Sequence, residues 1–238
     1  MAINVLAFSS SRVGNGGYLE TAVPLINRFL GNKPLSLAFI PFALVNHEYE
    51  GYADNVRKAF GDLPYRVQPA CEDKAKTIIE TADVIMTGGG NTFKLLHDLY
   101  ALDLLELIRT KVQAGIPYIG WSAGSNVAGA GIYTSNDMPI IQPQSFTALT
   151  LLPFQVNPHY YNMPIAGFNG ETRDQRLNEF VQLNPGVPVV ALPEGTALLR
   201  QDKHLTLKGG PACIFGWEQG QAVQRTVEAE ADLSFLLQ

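Results

Sequence analysis

The chain is 238 residues long, 46% apolar and only 16% charged, a balance that excludes a disordered chain. Its net charge is −5 with a pI near 5.4, and it has no basic tract, which argues against a nucleic-acid partner. At roughly 150 residues per domain, one large domain over residues 1–238 is expected.

Residues 1–8 carry no basic segment and no signal-type cleavage pattern, and residues 3–8 read directly as a buried strand. A helix is expected around 18–30, a strand at 35–42 and a helix containing 55–60. A shorter strand follows at 65–69, then a helix at 74–81 and a strand at 83–87. Residues 91–114 are helical with a break near Asp103: Phe93, Leu96 and Tyr100 share one face, then Leu105, Ile108 and Val112 another. Residues 117–121 are a further short apolar strand. Continuous apolar strands alternating with helices predict βαβ units around a parallel sheet. Residues 134–158, rich in Pro, Asn, Gln and Ser, read as loop with short strands. Thr172 opens another helix, 187–192 is a buried strand, and 197–227 reads as antiparallel edge strands or hairpins. No apolar run approaches the ~18 residues that span a bilayer, so a soluble cytoplasmic chain without a membrane partner is expected. Cys71 and Cys213 lie in apolar surroundings outside any CxxC pair and read as buried reduced thiols.

In an open parallel sheet, ligands bind beyond the carboxyl ends of the strands. Three such ends are Gly88-Gly89-Gly90-Asn91-Thr92, Trp121-Ser122-Ala123-Gly124-Ser125 and Pro193-Glu194-Gly195, all expected on one rim. Gly120-Trp121-Ser122-Ala123-Gly124 fits G-x-S-x-G between a strand and a helix, the context in which a sharp turn exposes a nucleophilic serine. The glycine triplet is no dinucleotide fingerprint, since Phe93 stands where the third glycine belongs, and it lacks the Gly-Lys-Ser/Thr ending of a P-loop. It suits an oxyanion hole better: bare N–H groups of Gly89 or Gly90, with that of Ala123, approach a reacting carbonyl oxygen. Asn91 is a helix N-cap and a candidate substrate contact.

A serine nucleophile needs a base. His97 beside Asp98 and His204 beside Asp202 and Lys203 read as surface residues, while His47 stays open. His159, in Asn157-Pro158-His159 after an apolar run, is the best base. Two carboxylates compete to orient it. Glu194 directly follows a buried strand, which favours it; Asp137 lies in a loop, where it holds the loop, touches substrate or completes the triad. Thr172-Arg173-Asp174-Gln175 reads as a capping box, with Arg173 in a first helical turn that disfavours a cation. Arg173 is therefore a candidate for binding a substrate carboxylate, with Arg176 second; the competing reading pairs Arg173 with Glu171 or Asp174.

Six segments in order carry a resemblance to a known family: Gly88 to Phe93, Gly120 to Gly124, Asn136-Asp137-Met138-Pro139-Ile140, Asn157-Pro158-His159, Gly170-Glu171-Thr172-Arg173 and Leu192-Pro193-Glu194-Gly195. From about residue 3 to residue 217 the chain resembles the peptidase E family of aspartyl dipeptidases. The resemblance implies a three-layer α/β fold of the class I glutamine-amidotransferase type, with a mostly parallel central sheet and serine in place of the usual cysteine. It further implies hydrolysis of dipeptides with N-terminal aspartate, no metal or other cofactor, and a homodimer. Ser122 becomes the nucleophile, His159 the base and Glu194 the third member, with Asp137 as rival. Three alternatives remain. They are a cyanophycinase-like β-aspartyl peptidase, an α/β-hydrolase esterase whose chain order would require Asp137, and a non-catalytic binding module.

Overall fold

Neighbouring residues of a strand face opposite ways, and in the first strand both faces are apolar. Val5 and Ala7 enter one core, Leu6 and Phe8 another. Such a strand must lie inside a sheet covered on both sides. The computed structural model, which describes residues 2–71, 73–163, 167 and 169–238, has that arrangement. The chain runs β1 (Asn4–Phe8), α1 (Val23–Leu30), β2 (Leu35–Ile40), α2 (Tyr49–Phe60), β3 (Tyr65–Pro69) and α3 (Ala75–Thr81). It continues through β4 (Val84–Thr87), α4 (Thr92–Ala101), α5 (Leu105–Gln113), β5 (Tyr118–Trp121) and α6 (Ala123–Ala128). A long irregular stretch leads to β6 (Gln155–Pro158), α7 (Arg173–Leu183), β7 (Val189–Leu192), β8 (Ala197–Gln201), β9 (His204–Lys208), β10 (Ala212–Glu218) and β11 (Gln221–Val227).

Among the described residues the central sheet has the order β3-β2-β4-β5-β1-β8-β9. Its first five strands are parallel, and β8 and β9 complete one edge antiparallel. Helices α1 and α2 bury Ile26, Leu30, Val56 and Phe60 on one face. Helices α3 to α6 bury Ile79, Leu96, Ile108 and Val127 on the other, which gives three layers. The expected mostly parallel α/β fold is therefore present, with antiparallel strands towards the C-terminus.

Two expectations need correction. The helix expected at 18–30 begins at Val23, because Leu19 adopts a left-handed φ of 55° and Pro24 belongs in a first turn. The strand expected at 187–192 is not on the central rim. It is β7 of a second sheet, β11-β10-β7-β6, in which β6 and β7 are parallel. The β8–β9 pair occupies the edge beside β1, so β7 pairs with β6 and β10 instead. Helix α7 covers this sheet through Leu177 and Val181 against Val189, Ala191 and Phe215. Of the two cysteines, Cys213 is buried and Cys71 only partly so. Among the described residues no helix is long and apolar enough to cross a membrane.

Close packing joins β4, β5 and α6. A Cβ on Gly120 would lie 2.5 Å from the Gly124 carbonyl oxygen, and one on Gly124 would lie 2.2 Å from the Thr87 carbonyl oxygen. Only glycine permits these approaches. Gly124→Ala must push α6 away from β4, and the expected loss is ~1–3 kcal/mol of stability or more. Urea denaturation would measure it, and an unchanged midpoint would contradict the packing described.

Candidate active site

Strand β5 ends at Trp121 and α6 starts at Ala123, so Ser122 alone makes the turn between them, at φ 53° and ψ −114°. A left-handed backbone at a non-glycine residue costs ~1–3 kcal/mol and persists only where its surroundings dictate it. Here they do. The Ser122 N–H donates to Phe8 O (3.2 Å), and the buried Ser125 hydroxyl sits 2.6 Å from Phe8 O and 3.1 Å from Gly120 O. The Tyr118 hydroxyl donates to Gly124 O at 2.7 Å. The elbow is thus fixed from β1, from β5 and from below, and the Ser122 hydroxyl is left partly exposed.

His159 follows β6 and also has a left-handed φ, 52°. Glu194 follows β7 in a tight turn, closed by the Thr196 N–H on Pro193 O (3.2 Å), with Gly195 at φ 87°. The parallel register Pro158↔Leu192 sets both residues at the same end of the second sheet. The imidazole then bridges two groups: Nε2 is 2.9 Å from Ser122 Oγ, and Nδ1 is 2.9 Å from Glu194 Oε1. A carboxylate can only accept, so Nδ1 carries the proton and Nε2 is free to accept from the serine hydroxyl. His159 and Glu194 are 42% and 50% exposed, so the group opens to solvent.

A serine, an imidazole and a carboxylate in hydrogen-bonded series are the apparatus of acyl transfer, and comparison with known proteins places the chain in a family. The family model described as peptidase family S51 matches residues 5–208. The chain belongs to peptidase family S51. It is similar to peptidase E of Shewanella amazonensis, at 48% identity over 238 residues and 100% of both chains. It is also similar to peptidase E of Shewanella denitrificans, at 52% over 210 residues, covering 88% of this chain and 89% of that one. A solved protein from Listeria monocytogenes EGD-e superposes with a TM-score of 0.68 at 25% identity, covering 88% of this chain and 99% of that chain. As a member of family S51 the chain is a peptidase, a hydrolase of peptide bonds.

The remaining expected residues fall around this candidate site in different ways. Among the described residues the N–H groups of Gly89, Gly90 and Ala123 make no hydrogen bond, and a Cβ on Gly89 would lie 3.0 Å from the Ser122 Cβ. Asp137 is engaged elsewhere. Its Oδ2 accepts from the Thr92 N–H (2.7 Å) at the start of α4 and from the Ser135 hydroxyl (3.3 Å). Asn91 caps the same helix, accepting from the Lys94 N–H at 3.0 Å, and its amide donates to Met138 O at 2.8 Å. The loop carrying Asp137 is thereby fastened to α4. Thr172 and Gln175 form the expected capping box, which starts α7 at Arg173. Arg176 lies 3.6 Å from Glu171, and Asp174 accepts from the Tyr160 hydroxyl at 2.5 Å. Arg173 is left without an ion pair among the described residues, and burial, together with the charge of Arg176, lowers its pKa.

Sequence reasoning missed Ser9. This fully buried hydroxyl accepts from the His159 N–H at 2.9 Å and donates to Leu192 O at 2.7 Å, while the Ser9 N–H donates to Thr196 O at 2.9 Å. One side chain at the end of β1 therefore ties the central sheet to the ends of both β6 and β7. The available signal was its place directly after an apolar strand, the position used to single out the other rim residues. Ser9→Ala leaves the part-buried His159 N–H without its partner, at ~1–3 kcal/mol. A lowered melting temperature together with reduced peptidase turnover is expected, and a variant matching the parent in both would remove this role.

Proposed function

We propose that this S51 peptidase hydrolyses dipeptides with an N-terminal aspartate through an acyl-enzyme on Ser122. The observation that carries the reading is the imidazole of His159 held between Ser122 Oγ and Glu194 Oε1, 2.9 Å from each. Ser122 Oγ attacks the peptide carbonyl while His159 Nε2 takes its proton. Glu194 holds the Nδ1 proton and stabilises the imidazolium that forms. The tetrahedral oxyanion is received by the unpaired N–H groups of Ala123 and of Gly89 or Gly90. The imidazolium then protonates the leaving amine, the C–N bond breaks, and water enters by the same route in reverse to release aspartate.

Specificity for aspartate is assigned to Arg173. Tyr160 immediately follows His159, and its hydroxyl holds Asp174. The Asp174 N–H also donates to Asn162 Oδ1 at 3.4 Å. The start of α7 is thus tethered to the chain leaving the base. A partly buried guanidinium without an ion pair among the described residues is a ready partner for a carboxylate, and it can engage both carboxylate oxygens at once. Arg176, already beside Glu171, is second choice.

Asp-Leu should be cleaved in preference to β-Asp-Leu and to a simple ester that carries no aspartyl group. Cleavage of β-Asp-Leu in preference would indicate the cyanophycinase-like reading. Ser122→Ala should abolish turnover and keep the fold, since alanine retains the same Cβ; residual activity above an empty preparation would end the assignment. Glu194→Gln should lower kcat by roughly two to four orders of magnitude, whereas Asp137→Asn should act on stability more than on kcat. The reverse pattern would exchange their roles. Arg173→Gln removes a charge-assisted contact of about 1.5–3 kcal/mol, so KM for Asp-Leu should rise roughly ten- to a hundredfold with kcat less affected. An unchanged KM would locate aspartate recognition elsewhere.

A further inference from the structure

The glycine triplet has a neighbour that the mechanism above does not use. The Tyr52 ring, on α2, stands against Gly88: a Cβ there would lie 2.7 Å from the Tyr52 hydroxyl oxygen. The ring packs edge-on against Phe39, with centroids 5.0 Å apart at 88°, and Phe39 stacks on Trp121 at 5.8 Å and 14°. Two hydrogen bonds meet at the hydroxyl. Trp121 Nε1 lies 3.1 Å from it, and it lies 3.0 Å from Gly89 O. The directions are forced. An indole N–H can only donate and a carbonyl can only accept, so the Tyr52 oxygen receives the indole proton and gives its own to Gly89. Burial raises the pKa of Tyr52, which keeps that proton in place.

The Gly89 carbonyl and the Gly90 N–H belong to one peptide unit. No peptide bond among the described residues is cis, so the two groups point in opposite directions across a rigid plane. A donor that fixes the Gly89 oxygen therefore fixes the direction of the Gly90 N–H. That N–H has no acceptor among the described residues. A Cβ on Gly90 would lie 2.4 Å from Ala43 O, and its φ is 139°, so side-chain bulk cannot set this peptide's orientation. A peptide flanked by two glycines is free to flip unless a hydrogen bond holds it.

We propose that Tyr52 is a positioning residue for the oxyanion hole: its hydroxyl, itself oriented by Trp121, locks the Gly89–Gly90 peptide so that the Gly90 N–H faces the reacting oxygen. The proposal rests on the acyl-transfer reading of Ser122 and selects Gly90 over Gly89 as the partner of Ala123. Tyr52 touches no reacting atom. Its contribution is to hold a donor ready before charge develops, where it favours the transition state over the ground state.

Tyr52→Phe keeps the ring and removes the proton. Direct loss of an oxyanion donor costs about 10²–10³ in kcat, and loosening one should cost less. Expected with Asp-Leu is a roughly ten- to hundredfold fall in kcat, with KM and inhibition by free aspartate within about twofold of the parent. The aminoboronate analogue of aspartate, whose tetrahedral adduct on a serine places a hydroxyl in the oxyanion position, should lose affinity by a factor similar to that in kcat. Incorporating p-aminophenylalanine at position 52 restores a donor and should recover most of the loss, while p-fluorophenylalanine fills the same space without donating and should not. This pair also serves if Tyr52→Phe does not fold. A kcat within twofold of the parent in Tyr52→Phe would overturn the proposal, as would equal losses towards aspartate and the boronate, or equal behaviour of the amino and fluoro variants. Ser122→Ala separates the two levels: activity in that variant ends the underlying reading, whereas an inactive Ser122→Ala beside an unimpaired Tyr52→Phe ends only the role of Tyr52.

Discussion

The architecture turns on a close approach of three backbones. Gly120 lies against the Gly124 carbonyl and Gly124 against the Thr87 carbonyl, so the end of β5, the first turn of α6 and the end of β4 touch without side chains between them. That contact leaves one residue, Ser122, to reverse the chain, and it forces the serine into a left-handed conformation. A left-handed serine is less stable in isolation than an extended one. Its neighbours offset the cost with hydrogen bonds from Tyr118, Ser125 and the Ser122 N–H itself. The spacing G-x-S-x-G is thus a record of steric contact first, and of chemistry only because the contact lifts a hydroxyl clear of the sheet.

The second requirement is to bring an imidazole to that hydroxyl from another sheet. Among the described residues β6 and β7 form no ladder with the central sheet, yet His159 lies within hydrogen-bond distance of both Ser122 and Glu194. Ser9 supplies the join at the backbone level, bonding both strand ends at once. A second brace comes from the irregular segment before β6. The Asn157 amide donates to Thr134 O at 2.6 Å and to Asn136 Oδ1 at 2.9 Å, and the Asn136 amide donates to Pro158 O at 2.8 Å. Since His159 and Glu194 are both substantially exposed, their alignment comes from these backbone anchors more than from burial of the side chains.

Much of this was legible in the sequence because it rests on local signals. The strand at 65–69 coincides with β3, and the break near Asp103 falls where that residue takes φ 53° between α4 and α5. The capping box at Thr172 marks the start of α7. Strand–helix alternation gave the layered fold. What local signals cannot encode is the pairing partner. Residues 189–192 are buried on both faces in either sheet, so their apolar run fits the rim of the central sheet as well as the second sheet they occupy. Ser9 stands at a rim position that the sequence marks, but its role was hidden for the same reason: nothing local says that another sheet's ends arrive beside it. Arg173 and Tyr52 differ again, since their significance lies in which partners they lack or share, a property of the assembled fold.

The two acidic residues that competed on sequence grounds show how strand ends and loops differ as platforms. Glu194 stands one residue beyond Pro193, in a turn whose geometry Gly195 and the Thr196 N–H dictate, so its backbone position is fixed and its carboxylate meets His159 Nδ1 at 2.9 Å. Asp137 stands in a segment with no ladder of its own, and it gains order by capping: its carboxylate takes the Thr92 N–H while Asn91 takes the Met138 carbonyl. A carboxylate at a helix N-terminus accepts from donors that otherwise lack partners. It also fastens a long irregular segment to the rim on which the glycine triplet lies. The segment's other end is fastened to β6 through Asn136 and Asn157, so the Asp137 loop spans the distance between the triplet and His159. Its sequence motif is then that of a strut between two parts of one site, and the order Asn136-Asp137-Met138 reflects which element each residue must reach: β6 for the first, α4 for the other two.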